Sequence, residues 1–362
     1  MIIMTDNIIA GTKVRESSFE LIRLLAQWMI VVYHIYMVHV VAMKDIPFNT
    51  SIWIPLHIGV PLFVLISGYW GIKVSGKGLF RLLGQMLVYT VPLLLLYNLV
   101  HGVLDGKQLV KSVLFVSNTP FWFMRTYLCL YLFSSVINKY LLDANLKNRV
   151  YLLASLGFIS VYMGTLSGMD PALYDGKNIL NFLLLYVIGN TLHVYEYVWR
   201  KFSVKKLLLT WFVLNVLLVT MSCLFYENFV EKVIWKLSFP YNSPLIIVNT
   251  VLFLMLIAKK PFKSKVVNYL GSSALAIYLL HCTPLFIFDT VGVWARDIMD
   301  VVSNTYIYFL CIVLLGLMIS LVCIAIDKIL TPLWIKFSNW GVYVENTVKS
   351  LSLIHISEPT RR

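Results

Sequence analysis

Apolar residues in this chain fall into long blocks of about 20 positions, the length a helix needs to cross the hydrocarbon at about 1.5 Å per residue. Ten such runs read as helices: Ser18–Val41, Ile52–Ile72, Leu79–Val103, Pro120–Leu142, Val150–Gly168, Ile179–Val198, Leu207–Phe225, Tyr241–Ala258, Asn268–Trp294 and Asn304–Leu330. The fourth and ninth hold the most polar and turn residues. Period-two alternation in short segments is missing, which argues against a transmembrane β-barrel. The pattern predicts an all-α, polytopic membrane protein with about ten transmembrane helices.

Composition agrees. Of 362 residues 59% are hydrophobic and 13% charged, at a mean hydropathy of +0.81, whereas soluble domains carry about 25% charged residues. The net charge of +13 would suggest a nucleic-acid partner in a soluble protein, but no nucleic-acid motif accompanies it and none is expected to bind. The cations instead follow the loops. Loops on the amino-terminal side hold 19 of them, from Lys13, Arg15, Lys73, Lys77 and Arg81 to Lys328, Lys336 and Lys349, against 7 opposite: Lys44, Lys107, Lys111, Lys177, Lys232, Lys236 and Arg296. Positive charge collects on the cytoplasmic side, so both termini are expected there.

The expected organisation is a cytoplasmic segment at 1–17 with no cleavable signal, a transmembrane domain at 18–340 and a tail at 341–362. Residues 107–115 read equally as an interfacial helix or a connector. The last twelve residues, LSLIHISEPTRR, resemble translated sequencing-adapter DNA and are set aside as an artefact. The five cysteines, Cys129, Cys223, Cys282, Cys311 and Cys323, lie in apolar runs without metal-ligand spacing. They are expected to pack as small hydrophobes, with no metal bound.

A charge at the centre of a spanning helix costs at least about 2.5 kcal/mol, so each buried ionisable residue needs a partner or a purpose. The first run has the densest set: Glu20, Arg23, Gln27 and His34. Eleven steps of about 100° return His34 to within about 20° of the Arg23 face and raise it roughly 16 Å along the axis. Gln27 falls between them, and Glu20 is three residues from Arg23, within pairing reach. One polar stripe thus joins the cytoplasmic boundary to a deep imidazole. A structural reading stands beside this: Arg23 snorkels to lipid phosphate and His34 bonds a neighbouring helix. Elsewhere His281 lies in YLLHC with Tyr278 one turn below it, Arg125 follows Trp122 and Phe123, and Ser67-Gly68 sits near the end of PLFVLISGYWGIK. Trp122 as an interfacial anchor and Ser67-Gly68 as a close helix contact are the structural roles expected of them.

These pieces resemble acyltransferase family 3. Arg23, ten intervening residues and His34, preceded by Glu20, look like the family's first-helix signature. FVLISGYWGI resembles its second-helix segment, FWF its fourth-helix aromatic pair and YLGSSALAIYLLH a late segment. The likeness runs from about Ser18 to Leu330. It implies transfer of an acyl group, usually acetyl from acetyl-CoA, to a hydroxyl of an envelope or secreted glycan, with the functional Arg and His carried over to Arg23 and His34. Glu20 stands where Asp is common in the family. Some relatives add an extracytoplasmic esterase-like domain, which this chain is expected to do without.

On that expectation His34 either deprotonates the sugar hydroxyl or carries the acetyl group transiently, and the sequence leaves both routes open. Arg23, Lys73, Lys77 and Arg81 would hold the CoA phosphates. Arg125, Tyr278 and His281 would line the acceptor side, with Glu20, Gln27, Ser67 and Trp122 in support. Acetyl-CoA is the expected donor, with no resident cofactor. The expected partners are a glycan or lipid-linked sugar and the lipid bilayer, and the expected location is the bacterial cytoplasmic membrane. The alternative is a transporter or lipid-linked-sugar flippase that uses the buried ions as a pathway. Against it, the halves show no repeat and the ions concentrate in one helix.

Overall fold

A computed structural model describes residues 16–40, 52–103, 121–168, 171–224 and 236–357, together with positions 106, 107, 110 and 233. The stretch at 107–115 and the loop cations Lys13, Arg15, Lys44, Lys111 and Lys232 lie outside the described residues, Lys107 and Val110 excepted.

The described residues form helices and no strand. α1 (Ser17–Val40), α2 (Gly59–Trp70), α3 (Gly76–Val100), α4 (Trp122–Asp143), α5 (Leu146–Gly157, running into a π-helical turn to Leu166), α6 (Ile179–Val194), α7 (Val204–Leu224), α8 (Pro244–Ala258), α9 (Lys265–Gly271), α10 (Ala274–His281), α11 (Gly292–Val301) and α12 (Thr305–Ser357) follow in order. Helix therefore lies on each of the ten predicted runs. Six helices are long and apolar enough to cross a membrane, or seven if one bent pair counts as a span. The difference from ten has physical causes. α6 and α8, of 16 and 15 residues, rise only about 24 Å against about 30 Å of hydrocarbon. Their starts are set by Asn178, whose side chain caps α6, and by Ser243 before Pro244. α4 carries Arg125, Lys139 and Asp143 and is too polar to qualify.

α1 lies at the centre of the bundle, packed against α2, α8, α9, α10, α11 and α12. Its polar stripe is thereby turned into protein rather than lipid, as the cost of charge in hydrocarbon demands. α7 is the opposite case: its apolar window is 17% buried, against 72% for the span ending in α2. α2 meets α6 at very close range, since a Cβ at Gly68 would run into the Tyr186 carbonyl, and one at Gly189 into that of Leu65. The expected close contact at Ser67-Gly68 is therefore made by the glycine, on the face away from Ser67.

Loops assigned by their charge to one side meet at one end of the bundle. Ser17 N–H donates to Phe262 O (3.0 Å), Arg200 Nη1 to Ala258 O (3.1 Å), and Gly76 N–H to Glu345 Oε2 (2.8 Å). At the other end Thr126 Oγ1 donates to Lys177 O (3.2 Å), Tyr241 N–H to Asp175 O (3.1 Å) and Lys236 Nζ to Leu166 O (3.1 Å). Arg149, one of the 19 cations expected in the amino-terminal-side loops, is buried, and it donates to the carbonyls of Leu141 and Ala144 at the end of α4.

Two features bear on function. The ninth run is not one straight helix: Lys265–His281 and Pro284–Val301 meet at an 81° bend. Pro284 lacks the N–H to continue the ladder and holds Thr283 extended. α12 continues without a break past 341, so the expected tail is helical as far as Ser357.

Candidate functional site

A cavity of about 350 Å³ opens between α1, α2, α3, α4 and the α9–α10 segment. Arg23, Gln27, Ser67, Arg81, Tyr127 and Tyr278 line it, as does Glu20. The predicted Glu20–Arg23 pair forms: Arg23 Nη1 donates to Glu20 Oε1, with Glu20 buried and Arg23 half-buried. The Arg81 guanidinium lies 5.0 Å from the centre of the Trp334 ring, a cation–π contact that holds the charge in place. Ser67 Oγ donates to Phe63 O (2.8 Å) and lies 3.1 Å from Tyr127 Oη. Gln27 Oε1 is buried with no hydrogen-bond partner among the described residues. It is an acceptor waiting for a donor, and an unmade hydrogen bond of this kind costs about 1–3 kcal/mol.

Deeper along α1 the chemistry changes. His34 Nδ1 lies 3.0 Å from His281 Nε2, and His281 Nδ1 lies 2.6 Å from Ile277 O, one turn back in α10. Cys282 Sγ closes the group, 3.4 Å from His281 Nε2 and 3.7 Å from His34 Nδ1. The three donor atoms all lie within 4.8 Å of one another. His281 and Cys282 are buried, whereas His34 keeps part of its surface open. Ile30 and Tyr278, at the far end of the cavity, each stand about one helical turn before a histidine of the pair. The cavity thus points from Glu20 and Arg23 towards the imidazoles. The bend after His281 makes this arrangement: it ends α10 at the depth of His34 and turns the chain aside.

Of the predicted residues, Glu20, Arg23, Gln27, Ser67, Arg81 and Tyr278 come together around one cavity, and His34 meets His281. The rest do not. Lys73 and Lys77 are exposed outside the cavity lining, because they sit in the loop and first turn before α3 turns inward. Trp122 packs on Tyr241, ring centres 5.7 Å apart, with Lys177 Nζ 5.8 Å from its ring. Arg125, expected on the acceptor side, is exposed on the outer face of α4, a quarter turn or so from Trp122 and Met124. Tyr278 borders the cavity of Arg23 rather than a separate acceptor chamber.

Three further groups escaped the sequence reading. Cys282, expected to be packing, touches both imidazoles. The available signal was its place next to His281 in YLLHC. Asp327 is buried in α12 and accepts from Tyr89 Oη and from Ser273 Oγ (2.6 Å), tying three helices together. His57 stacks on Tyr241 at 4.4 Å between ring centres.

A family model described as an acyltransferase domain matches residues 16–326. No curated protein and no solved structure matches the chain.

Proposed function

Because the chain belongs to acyltransferase family 3, we propose that this multi-pass membrane acyltransferase moves an acetyl group from cytoplasmic acetyl-CoA to a hydroxyl of an envelope glycan at the bacterial cytoplasmic membrane. The observation that carries this reading is the cavity that runs from Arg23 and Arg81 to one turn beneath the His34–His281 pair. Its two guanidiniums suit the phosphates of CoA, for which a charge-assisted fork is the usual recognition device. Exposed Lys73 and Lys77 add a diffuse attraction at the mouth. The pantetheine arm extends inward, and one of its amide N–H groups donates to Gln27 Oε1. The acetyl thioester then reaches the imidazoles.

In the direct route His34 accepts the proton of the sugar hydroxyl while its oxygen forms a bond to the acetyl carbon. The carbon–sulfur bond breaks, and CoA leaves as a thiolate that takes up a proton. In the two-step route the His34 nitrogen bonds the acetyl carbon first as the carbon–sulfur bond breaks and CoA leaves as a thiolate; the hydroxyl oxygen then bonds that carbon, the carbon–nitrogen bond to His34 breaks, and the hydroxyl proton passes to the thiolate. No resident cofactor enters either route. Family membership favours acyl transfer over the transport alternative. The deciding experiment is NMR of surface glycan from cells with and without the gene. Loss of O-acetyl resonances on deletion, restored by the wild-type gene, supports the proposal and identifies the acceptor. An unchanged O-acetyl content in every glycan fraction overturns it.

A further inference from the structure

We propose that His281 is a positioning residue that fixes the proton arrangement of His34, through a relay running from the Ile277 carbonyl across both rings. The inference rests on the acyl-transfer reading for its catalytic meaning, and on geometry alone for the relay itself.

The Ile277 carbonyl oxygen can only accept, so His281 Nδ1, 2.6 Å away, is the N–H donor. A neutral imidazole has one such hydrogen, and at this depth the neutral form is the cheaper one. His281 Nε2 therefore presents a lone pair. At 3.0 Å from it, His34 Nδ1 must carry the hydrogen, since two facing lone pairs would repel. That leaves His34 Nε2 with the lone pair. Among the described residues, the polar contacts of the His34 ring to His281 and Cys282 are both made by Nδ1, so Nε2 is the atom left to meet substrate. It is Nε2 that takes the hydroxyl proton in the direct route or the acetyl group in the two-step route. When His34 gains positive charge, its Nδ1–H bond to His281 becomes charge-assisted and strengthens.

The logic is that of a base held by an orienting partner, with a neutral ring in place of a carboxylate. Depth explains the substitution: a second buried charge is costly to desolvate, whereas imidazole and a backbone carbonyl are neutral. Cys282 covers the junction, its sulfur being too weak a donor or acceptor to replace either ring. The same three donor atoms raise the question of a metal ion. Two imidazoles on a tetrahedral zinc stand about 3.3 Å apart at bonds of about 2.0–2.1 Å. The 3.0 Å between His34 and His281 is instead hydrogen-bond length.

The test uses the full chain, purified in lipid nanodiscs with 15N-labelled histidine, with a His34→Gln spectrum to assign the His34 signals. The expected result is a protonated Nδ1 and an unprotonated Nε2 at neutral pH, the reverse of the tautomer free imidazole side chains favour. His281→Gln, whose amide oxygen still accepts from His34 Nδ1, retains that tautomer and cellular O-acetylation within about threefold. His281→Leu loses the tautomer and about 10²-fold of the rate, the scale of a misplaced reacting group. A His34 protonated at Nε2 in the wild type overturns the relay. So does equal acetylation by the Gln and Leu variants at equal abundance, or about one zinc per purified chain that disappears in Cys282→Ser. A wild-type protein with the expected tautomer and no acyltransferase activity leaves the relay standing and removes the function proposed above.

Discussion

The two ends of the α1 stripe solve the same problem in opposite ways. Near the start of the helix a full charge pair, Glu20 and Arg23, borders a cavity together with Arg81. Roughly 16 Å further along the same helix, His34 is joined by His281 and Cys282, and the described partners are groups that can stay neutral. A charge costs less near the end of a span than towards the middle of the hydrocarbon. Under the proposed function, depth sorts the work: anion recognition at the edge, proton or acyl handling inside. The comparison also explains why the inner group needs a helix break. A straight α9–α11 would run on past His34, whereas the bend ends α10 at His281.

The largest effect that could break this contrast is all-or-none. In a background without native cysteines, a cysteine at Lys205 or Lys263 is expected to label only from the cytoplasm, and one at Lys177 only from outside. Labelling of positions 205 and 177 from the same side would mean that the span count between them is wrong.

Next comes the deep group. His34→Gln keeps hydrogen bonding but removes proton transfer, and is expected to lower glycan O-acetylation by about 10²- to 10⁴-fold in normally inserted, normally abundant protein, while acetyl-CoA binding stays within about twofold. Acetylation at the wild-type rate would make His34 a packing residue.

Arg23→Ala should act in the other direction. Loss of a charge-assisted phosphate contact costs about 1.5–3 kcal/mol, or about 10- to 150-fold in acetyl-CoA affinity, measured by calorimetry on purified protein. Wild-type affinity would remove Arg23 from the donor site and leave the Glu20 pair as a purely structural feature.

The smallest effect belongs to the exposed cations. The double variant Lys73→Ala, Lys77→Ala is expected to weaken acetyl-CoA binding by less than about tenfold at low salt and hardly at all at 0.15 M, because exposed charges are screened. A loss equal to that of Arg23→Ala, unaffected by salt, would place these lysines in direct contact with the donor.

Much of the outline was legible in the sequence because it is local. A helix repeats every 3.6 residues, so the shared face of Arg23, Gln27 and His34 and the pairing of Glu20 with Arg23 follow from spacing alone. Likewise, helices lie on the ten apolar runs because backbone groups in lipid must bond within their own segment. The cation asymmetry between loops correctly grouped the residues that meet at each end, such as Ser17 with Phe262 and Arg200 with Ala258. Spacing did not reveal length: α8 starts only after its cap at Ser243, inside the predicted run, and α6 ends at Val194, before the predicted end at Val198.

What only the tertiary structure decided are contacts between residues far apart in the chain. His34 and His281 are 247 positions apart, and no periodicity links them. Cys282 looked like any cysteine in an apolar run until the bend at Thr283-Pro284 fixed where α10 ends. Arg81 and Lys77 are one turn apart on one face of α3, yet Arg81 lines the cavity while Lys77, in the first turn, is exposed, because the neighbouring helices enclose that face only beyond the start of α3. The chain determined on its own which helices form and which faces are polar. Which polar faces meet, and at what depth, was decided by packing, since burial of each polar group is stable only where another element brings it a partner.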